Sequence, residues 1–319
     1  MSTVRLAILC SGQAGQHRAM LENLITAPDM EGLRSIASAI LGEELESWWR
    51  NLEDEDIFAN ENAQFAIALY QLSVWQRIAP LLPQPALIAG YSLGELIAYH
   101  VAGSLDAAGT LGLVRRRARL MDEAARDIAV SGGCMLLWRG RVSRQVQAAF
   151  ERGMLTYGLE TAIVRNRNEQ VLAGPADAVD RIVADPQIIN PDMVRLAITT
   201  PSHSRYIATA SEAFRGVLGN FGLTDPLIPV LSGVDATRVR TRSQALGALS
   251  SQISRTIRWD RCMTALDEAG INTVIELGPG SDLAKLIEAE HPRISARSVD
   301  EFRDWHAVGN WLESRSDTY

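Results

Sequence analysis

The string Gly90-Tyr91-Ser92-Leu93-Gly94 constrains this chain more than any other. It follows the apolar run Ala86-Leu87-Ile88-Ala89, set off by Pro83 and Pro85, and leads into Glu95-Leu96-Ile97-Ala98-Tyr99-His100-Val101-Ala102, which reads as a buried helix. Strand, tight turn and helix in that order make Gly-x-Ser-x-Gly a nucleophile elbow, because the flanking glycines let a sharp turn lift the hydroxyl clear of the sheet. The Leu93 N–H then stands at a helix N-terminus, where it can donate to a developing oxyanion. Ser92 is thus a candidate nucleophile, and acyl transfer the candidate reaction class. A glycine-serine turn closing an ordinary strand-helix unit is the competing reading.

Around the elbow, strand and helix alternate. Leu6 to Cys10 reads as a buried first strand ending in the loop Ser11-Gly12-Gln13-Ala14-Gly15-Gln16, and helical patterns run to Trp48-Trp49 before the acidic break at 53–56. A helix from about Asn62 to Ala79 is expected to turn Phe65, Leu69, Leu72 and Trp75 inward at amphipathic spacing. This order is the signature of an α/β sheet with helices on its faces. After a helix from Asp106 to about Ile128 and a Ser131-Gly132-Gly133 hinge, the rhythm changes. It becomes strand 134–138, helix 143–152, strand 161–164, strand 170–173, helix 176–184 with Pro175 suited to its first turn, and strand Met193–Ile198. That βαββαβ order is ferredoxin-like. The expected architecture is a hydrolase-like α/β core with a parallel sheet, made of residues 1–128 and 200–319, carrying a small ferredoxin-like α+β subdomain at 129–199. The boundaries fall near Ala129 and Thr199, and a cleft between the two parts is the natural ligand site. The last residues, Glu313 to Tyr319, are polar and expected to fray.

Composition narrows the function. A net charge of −7 and a pI near 5.4 over 319 residues argue against nucleic-acid or anionic-membrane binding. Cys10, Cys134 and Cys262 are odd in number and far apart, so neither a disulfide framework nor a metal site is expected, and a reducing cytoplasm fits. No run approaches the ~20 apolar residues of a membrane span.

A serine hydroxyl needs a base. His203 stands in Pro201-Ser202-His203-Ser204, on a loop returning from the small subdomain, where it can overhang the cleft; its other ring nitrogen could donate to a backbone carbonyl. An α/β hydrolase would place its histidine last, so His291 or His306 with Asp282, Asp300 or Asp304 remains a second candidate triad. On the 106–128 helix, Leu113, Val114, Leu120, Met121 and Ala124 share one face with Arg117 among them. Arg115, Arg116 and Arg119 point elsewhere, Glu123 being placed to pair with Arg119. An arginine on an apolar stripe calls for an anion, a pocket wall or an internal salt bridge.

Six stretches taken together resemble the malonyl-CoA:acyl-carrier-protein transacylase family, in its order and over nearly the whole chain. They are Ser-Gly-Gln-Ala-Gly-Gln at 11–16, Gly-Tyr-Ser-Leu-Gly-Glu at 90–95, Leu-Val-x-x-Arg ending at Arg117, Pro-Ser-His-Ser at 201–204, Gln252 ahead of Ile257-Arg258-Trp259, and Glu-Leu-Gly-Pro-Gly at 276–280. The resemblance implies that Ser92 carries malonyl as an ester and that His203 is the base, oriented by a main-chain carbonyl near Gln252. It also implies an oxyanion hole from the N–H groups of Gln13 and Leu93, Arg117 on the malonyl carboxylate, and Asn166 near the substrate. Malonyl-CoA would be the donor and the prosthetic thiol of an acyl carrier protein the acceptor, with no permanently bound cofactor. Tyr91 stands where the family usually has histidine, and Cys10-Ser11-Gly12-Gln13-Ala14 replaces Phe-Pro-Gly-Gln-Gly. Those changes look more like the acyltransferase subunit of bacterial malonate decarboxylase, whose carrier subunit bears a dephospho-CoA-type group. Malonyl transfer to phosphopantetheine in fatty-acid or polyketide synthesis is the alternative, followed by an α/β esterase.

Overall fold

The computed structural model describes residues 4–13, 15–126, 128 and 131–316, without the side chains of 23, 24 and 316. The expected boundary at Ala129 lies outside the described residues, as does Ala14 of the first loop. In chain order the first part runs β1 (Leu6–Cys10), α1 (Ala19–Ile25), α2 (Glu31–Leu41), α3 (Leu45–Asn51), α4 (Asn60–Ile78), β2 (Leu87–Gly90), α5 (Leu93–Val101) and α6 (Ala107–Arg126). Next come β3 (Gly133–Arg139), α7 (Arg144–Tyr157), β4 (Glu160–Asn166), β5 (Glu169–Pro175), α8 (Ala176–Ala184) and β6 (Val194–Arg195). The last part runs α9 (Ala208–Leu218), β7 (Val230–Leu231), β8 (Arg238–Val239), α10 (Arg242–Ser251), β9 (Ile257–Arg258), α11 (Trp259–Glu268), β10 (Thr273–Glu276), α12 (Asp282–Glu290), β11 (Ser295–Ser298) and α13 (Trp305–Ser316).

The larger sheet has the order β11-β10-β1-β2-β7-β8, parallel except for the β7–β8 pair. Strand side chains alternate faces, so Leu6, Ile8 and Cys10 pack into the helical layer while Ala7 and Leu9 pack toward the smaller sheet. From β1 the chain crosses to β2 on one side and later to β10 on the other. The loops after these three neighbouring strands therefore meet at their carboxyl ends, where open α/β sheets bind ligands. The smaller sheet has the order β6-β3-β5-β4-β9. Its first four strands are antiparallel in the ferredoxin-like arrangement, and β9, from the later part of the chain, adds to β4 in parallel.

Several expectations are corrected. α4 is not amphipathic: residues 63–74 are all buried, because α1, α2, α5, α6 and α13 surround it, and only Trp75 of its expected inward set is half-buried. Arg119 does not pair with Glu123. Both Arg119 and Arg115 reach across to Glu61 on α4 at 2.8 Å, and exposed Arg116 has no ion-pair partner among the described residues. The strand expected over Met193–Ile198 shrinks to Val194–Arg195, an exposed edge paired only with β3. Pro175 is the N-cap of α8 rather than part of its first turn. Glu313 to Ser316 continue α13, held by the burial of Leu312. No helix among the described residues is long and apolar enough to cross a membrane, and no metal-binding cluster occurs among them.

The elbow needs glycine for space as well as conformation. A Cβ on Gly94 would lie 2.0 Å from the Cys10 carbonyl oxygen, and one on Gly90 would lie 2.1 Å from the Glu95 nitrogen. Gly94→Ala must push β1 and α5 apart. It is expected to cost about 1–3 kcal/mol, seen as a lowered midpoint in thermal or urea unfolding; an unchanged midpoint would refute this packing.

Candidate active site

Ser92 is the N-cap of α5 and is held at φ 57° and ψ −112°. A side-chain-bearing residue pays for such a conformation, and functional sites are where it persists. His203 is likewise at φ 60°, tied by its own N–H to the Ile253 carbonyl at 2.8 Å. The two strained turns bring Ser92 Oγ and His203 Nε2 to 2.7 Å. His203 Nδ1 lies 2.5 Å from the Gln252 carbonyl oxygen, which can only accept, so the ring proton sits on Nδ1 and Nε2 is free to take the serine proton. That carbonyl is available because Gln252 caps the C-terminus of α10. The Gln252 side chain also donates from Nε2 to the Ser92 carbonyl at 2.9 Å and turns Oε1 toward Arg117 Nη2 at 3.4 Å.

Arg117 is 1% exposed and makes no ion pair among the described residues. Nη1 donates to Gln64 Oε1 at 2.6 Å, and Nε has no partner. Gln64 donates to Asn60, and Asn60 to Asp122, so a chain of amides connects the guanidinium to a distant carboxylate. Of the three environments open to this arginine, an internal salt bridge is not the one found. The amide cage leaves a buried charge with a free donor, the condition in which an incoming anion is welcome.

Burial and the nearby Arg117 charge push His203 down to about 3, the Gln252 carbonyl opposing, so the ring is neutral and able to act as a base. Burial brings Arg117 down to about 10, against the pull of Glu95, and it stays charged. Glu95, immediately after the elbow, is fully buried and pushed up to about 8, mainly by burial. Glu276 is raised to about 8 for the same first reason.

A cleft of about 300 Å³ opens over the serine. Ser11, Gly12 and Gln13 after β1, Tyr91 and Ser92 after β2, and Pro279 and Gly280 after β10 form one side, with Met135, Leu137, Ile163, Val171, Leu196 and Ile198 opposite. Gln13 and His203 thus share the cleft with Ser92, while Leu93, Gln252 and Arg117 stand one layer behind. Leu93 opens α5, so its N–H has no partner within the helix. Asn166 is not brought to this cleft. It closes a turn by accepting from the Asn168 N–H at 2.8 Å and lines a separate groove with Arg141, Arg144 and Arg167, because it faces the opposite side of β4 from Arg165. The second candidate triad is not assembled. His291 pairs with Asp267, His306 is exposed, Asp282 binds Arg165, Asp300 accepts from Gly280 N–H and Tyr70, and Asp304 caps α13.

Sequence reasoning missed Gln64, Tyr91 as a wall residue, and Arg165. Gln64 carried a signal, since Asn60 and Gln64 are polar at helical spacing within an apolar helix. Tyr91 packs edge-on against Trp259 at 5.3 Å, a partner 168 positions away that no local pattern reveals. A neutral His203 has a direct consequence. The rate of Ser92 labelling by a fluorophosphonate is expected to hold level from pH 7.5 down to about 5, whereas an ordinary histidine would lose half its effect near 6.5. Labelling that falls through 6.5 would contradict the buried, uncharged base.

Known proteins place this geometry. The acyl transferase domain family matches residues 8–317. The malonyl CoA-acyl carrier protein transacylase of Mycobacterium tuberculosis is 26% identical over 314 residues, covering 96% of this chain and 99% of the relative. The protein of the same name from Escherichia coli K12 is 26% identical over 305 residues, covering 93% and 96%. Among solved structures, FabD from Acinetobacter baumannii superposes with a TM-score of 0.86 at 26% identity, over 98% of this chain and 100% of the other. A malonyl-transacylase in complex with its type II polyketide synthase acyl-carrier protein gives 0.86 at 26% identity, over 97% and 99%. With the elbow serine, its histidine and a family match spanning almost the full length, this chain belongs to the acyl transferase domain family.

Proposed function

We propose that this protein moves a malonyl group from malonyl-CoA to the prosthetic thiol of an acyl carrier protein through a malonyl-Ser92 ester. The observation that carries the reading is the buried Arg117 guanidinium, caged by neutral amides, with an unpartnered Nε and a link through the Gln252 side chain to the Ser92 carbonyl. Ser92 Oγ attacks the thioester carbonyl as His203 Nε2 takes the hydroxyl proton, and the oxyanion gathers on the Leu93 and Gln13 N–H groups. Collapse breaks the carbon–sulfur bond, and His203 returns the proton to the departing thiol. The carrier thiol then repeats the sequence in reverse, which gives ping-pong kinetics.

A planar guanidinium matches a carboxylate in a bidentate pair, so Arg117 selects a malonyl over an acetyl group. Entry of that carboxylate requires it to displace the weak 3.4 Å contact with Gln252 Oε1 rather than a strong ion pair. The names of the relatives, which include a polyketide biosynthesis protein of Bacillus subtilis at 28% identity over 283 residues, favour fatty-acid or polyketide synthesis over a malonate decarboxylase system. That relative is matched over only 35% of its own length. The decarboxylase reading draws on Tyr91 and on Cys10-Ser11-Gly12-Gln13 alone.

Mass spectrometry after mixing with malonyl-CoA is expected to show a malonyl adduct that disappears in Ser92→Ala; an adduct surviving that change would remove the nucleophile assignment. Arg117→Ala is expected to lower malonyl loading roughly ten- to hundredfold and to spare acetyl loading, and an equal loss of both would exclude carboxylate recognition by Arg117. Offered two carriers, one with phosphopantetheine and one with the dephospho-CoA-type group, the enzyme is expected to prefer the first. A strong preference for the second would restore the decarboxylase context.

A further inference from the structure

The cleft wall carries a second guanidinium, to which the transfer reaction above gives no task. Arg165, on β4, is 9% exposed and lines the cleft over Tyr91, its guanidinium carbon 5.8 Å from the ring centroid. Nη2 donates to Asp282 Oδ2 at 2.7 Å, and Nε stands 3.2 Å from Glu169 Oε1 without the alignment of a hydrogen bond. Asp282 belongs to the first turn of α12, on the large-sheet side of the cleft, and its side chain is 63% exposed. Glu169 in turn pairs with Arg139, another cleft residue, at 3.1 Å.

The charges decide what this pair can bind. Arg165 lies between two carboxylates, so no net positive charge is left to draw in a second anion; the malonyl carboxylate has no reason to prefer it to Arg117, which has no ion-pair partner. What remains is a strong donor and a strong acceptor held together in the cleft, Arg165 on the side that also carries Met135, Leu137, Ile163 and Val171 and Asp282 reaching it from the other. A secondary amide needs both at once, an N–H for its carbonyl and an oxygen for its N–H. The arm shared by CoA and by carrier-borne phosphopantetheine contains two secondary amides separated by short methylene runs, and apolar side chains next to a paired donor and acceptor suit that alternation. Asp282 is exposed enough to receive an amide N–H without giving up Arg165.

We propose that Arg165 and Asp282 together form a subsite for a secondary amide of the pantetheine arm, and so set the preference for arm-bearing thioesters in both donor and acceptor. The inference rests on the thioester-transfer reading above. The test compares malonyl-pantetheine with the malonyl thioester of ethanethiol, which lacks any amide, in wild type, Arg165→Met and Asp282→Ala. In both variants the ratio of kcat/KM for malonyl-pantetheine to that for the ethyl thioester is expected to fall about tenfold, through KM and with little change in kcat. A ratio equal to that of wild type, whether both rates hold or both collapse with the unfolding midpoint, would overturn the subsite and leave the pair as a structural bridge. Should Arg165→Met fail to fold, Asp282→Ala, at an exposed side chain, carries the same comparison. Wild-type turnover of the ethyl thioester reports malonyl transfer itself, so failure of that reading is told apart from failure of the subsite.

Discussion

One residue ties the site together. Gln252 offers its main-chain carbonyl to His203 Nδ1, its amide N–H to the Ser92 carbonyl and its amide oxygen toward Arg117. It can do all three because a helix ends on it, which frees the carbonyl, and because its side chain is completely buried, which fixes the amide. The orientation of the His203 ring, the position of the strained elbow and the setting of the Arg117 guanidinium are therefore consequences of one placement. A carbonyl orients the imidazole without adding a negative charge, so the base is not made more basic by a neighbouring carboxylate.

Low polarity around this residue explains the charge states. Burial and the Arg117 field keep the histidine neutral, and burial keeps Glu95 protonated against the pull of the same arginine. Arg117 stays charged without an ion pair among the described residues, whereas Arg139 and Arg165 in the cleft are paired with Glu169 and Asp282, so an arriving carboxylate would meet one unpaired cation in a medium that screens it little. The cost of holding that cation is met by neutral amides from Gln64 and Gln252, which solvate it without neutralising it.

The two sheets divide the work. Parallel strands β1, β2 and β10 end side by side, so three loops close together in space bring Gln13, Ser92 and the glycine-rich turn at 278–280 to one cleft. The antiparallel sheet supplies the facing wall, and β9 joins the later part of the chain to its edge. That join fixes the wall relative to α11 and Trp259, against which Tyr91 packs.

Much of this was legible in the residues. The elbow, the alternation of strand and helix, the ferredoxin-like order and the odd placement of Arg117 are local patterns, set by steric limits at glycine and by side-chain periodicity. The Pro201-Ser202-His203-Ser204 loop already favours His203 over His291 or His306, and what the fold adds is the 2.7 Å approach of its ring to the Ser92 hydroxyl, which no local pattern contains. Asn166 and Arg165 are neighbours in sequence but face opposite sides of a strand, and only the packing of the sheet against the rest of the chain decides which side is the cleft. Sequence determined which turns and helices form, because those depend on neighbours a few residues away. Tertiary structure decided which charges are left without partners, because desolvation and pairing depend on groups brought together from 53 to 135 positions apart, as Gln64 and Gln252 are from Arg117.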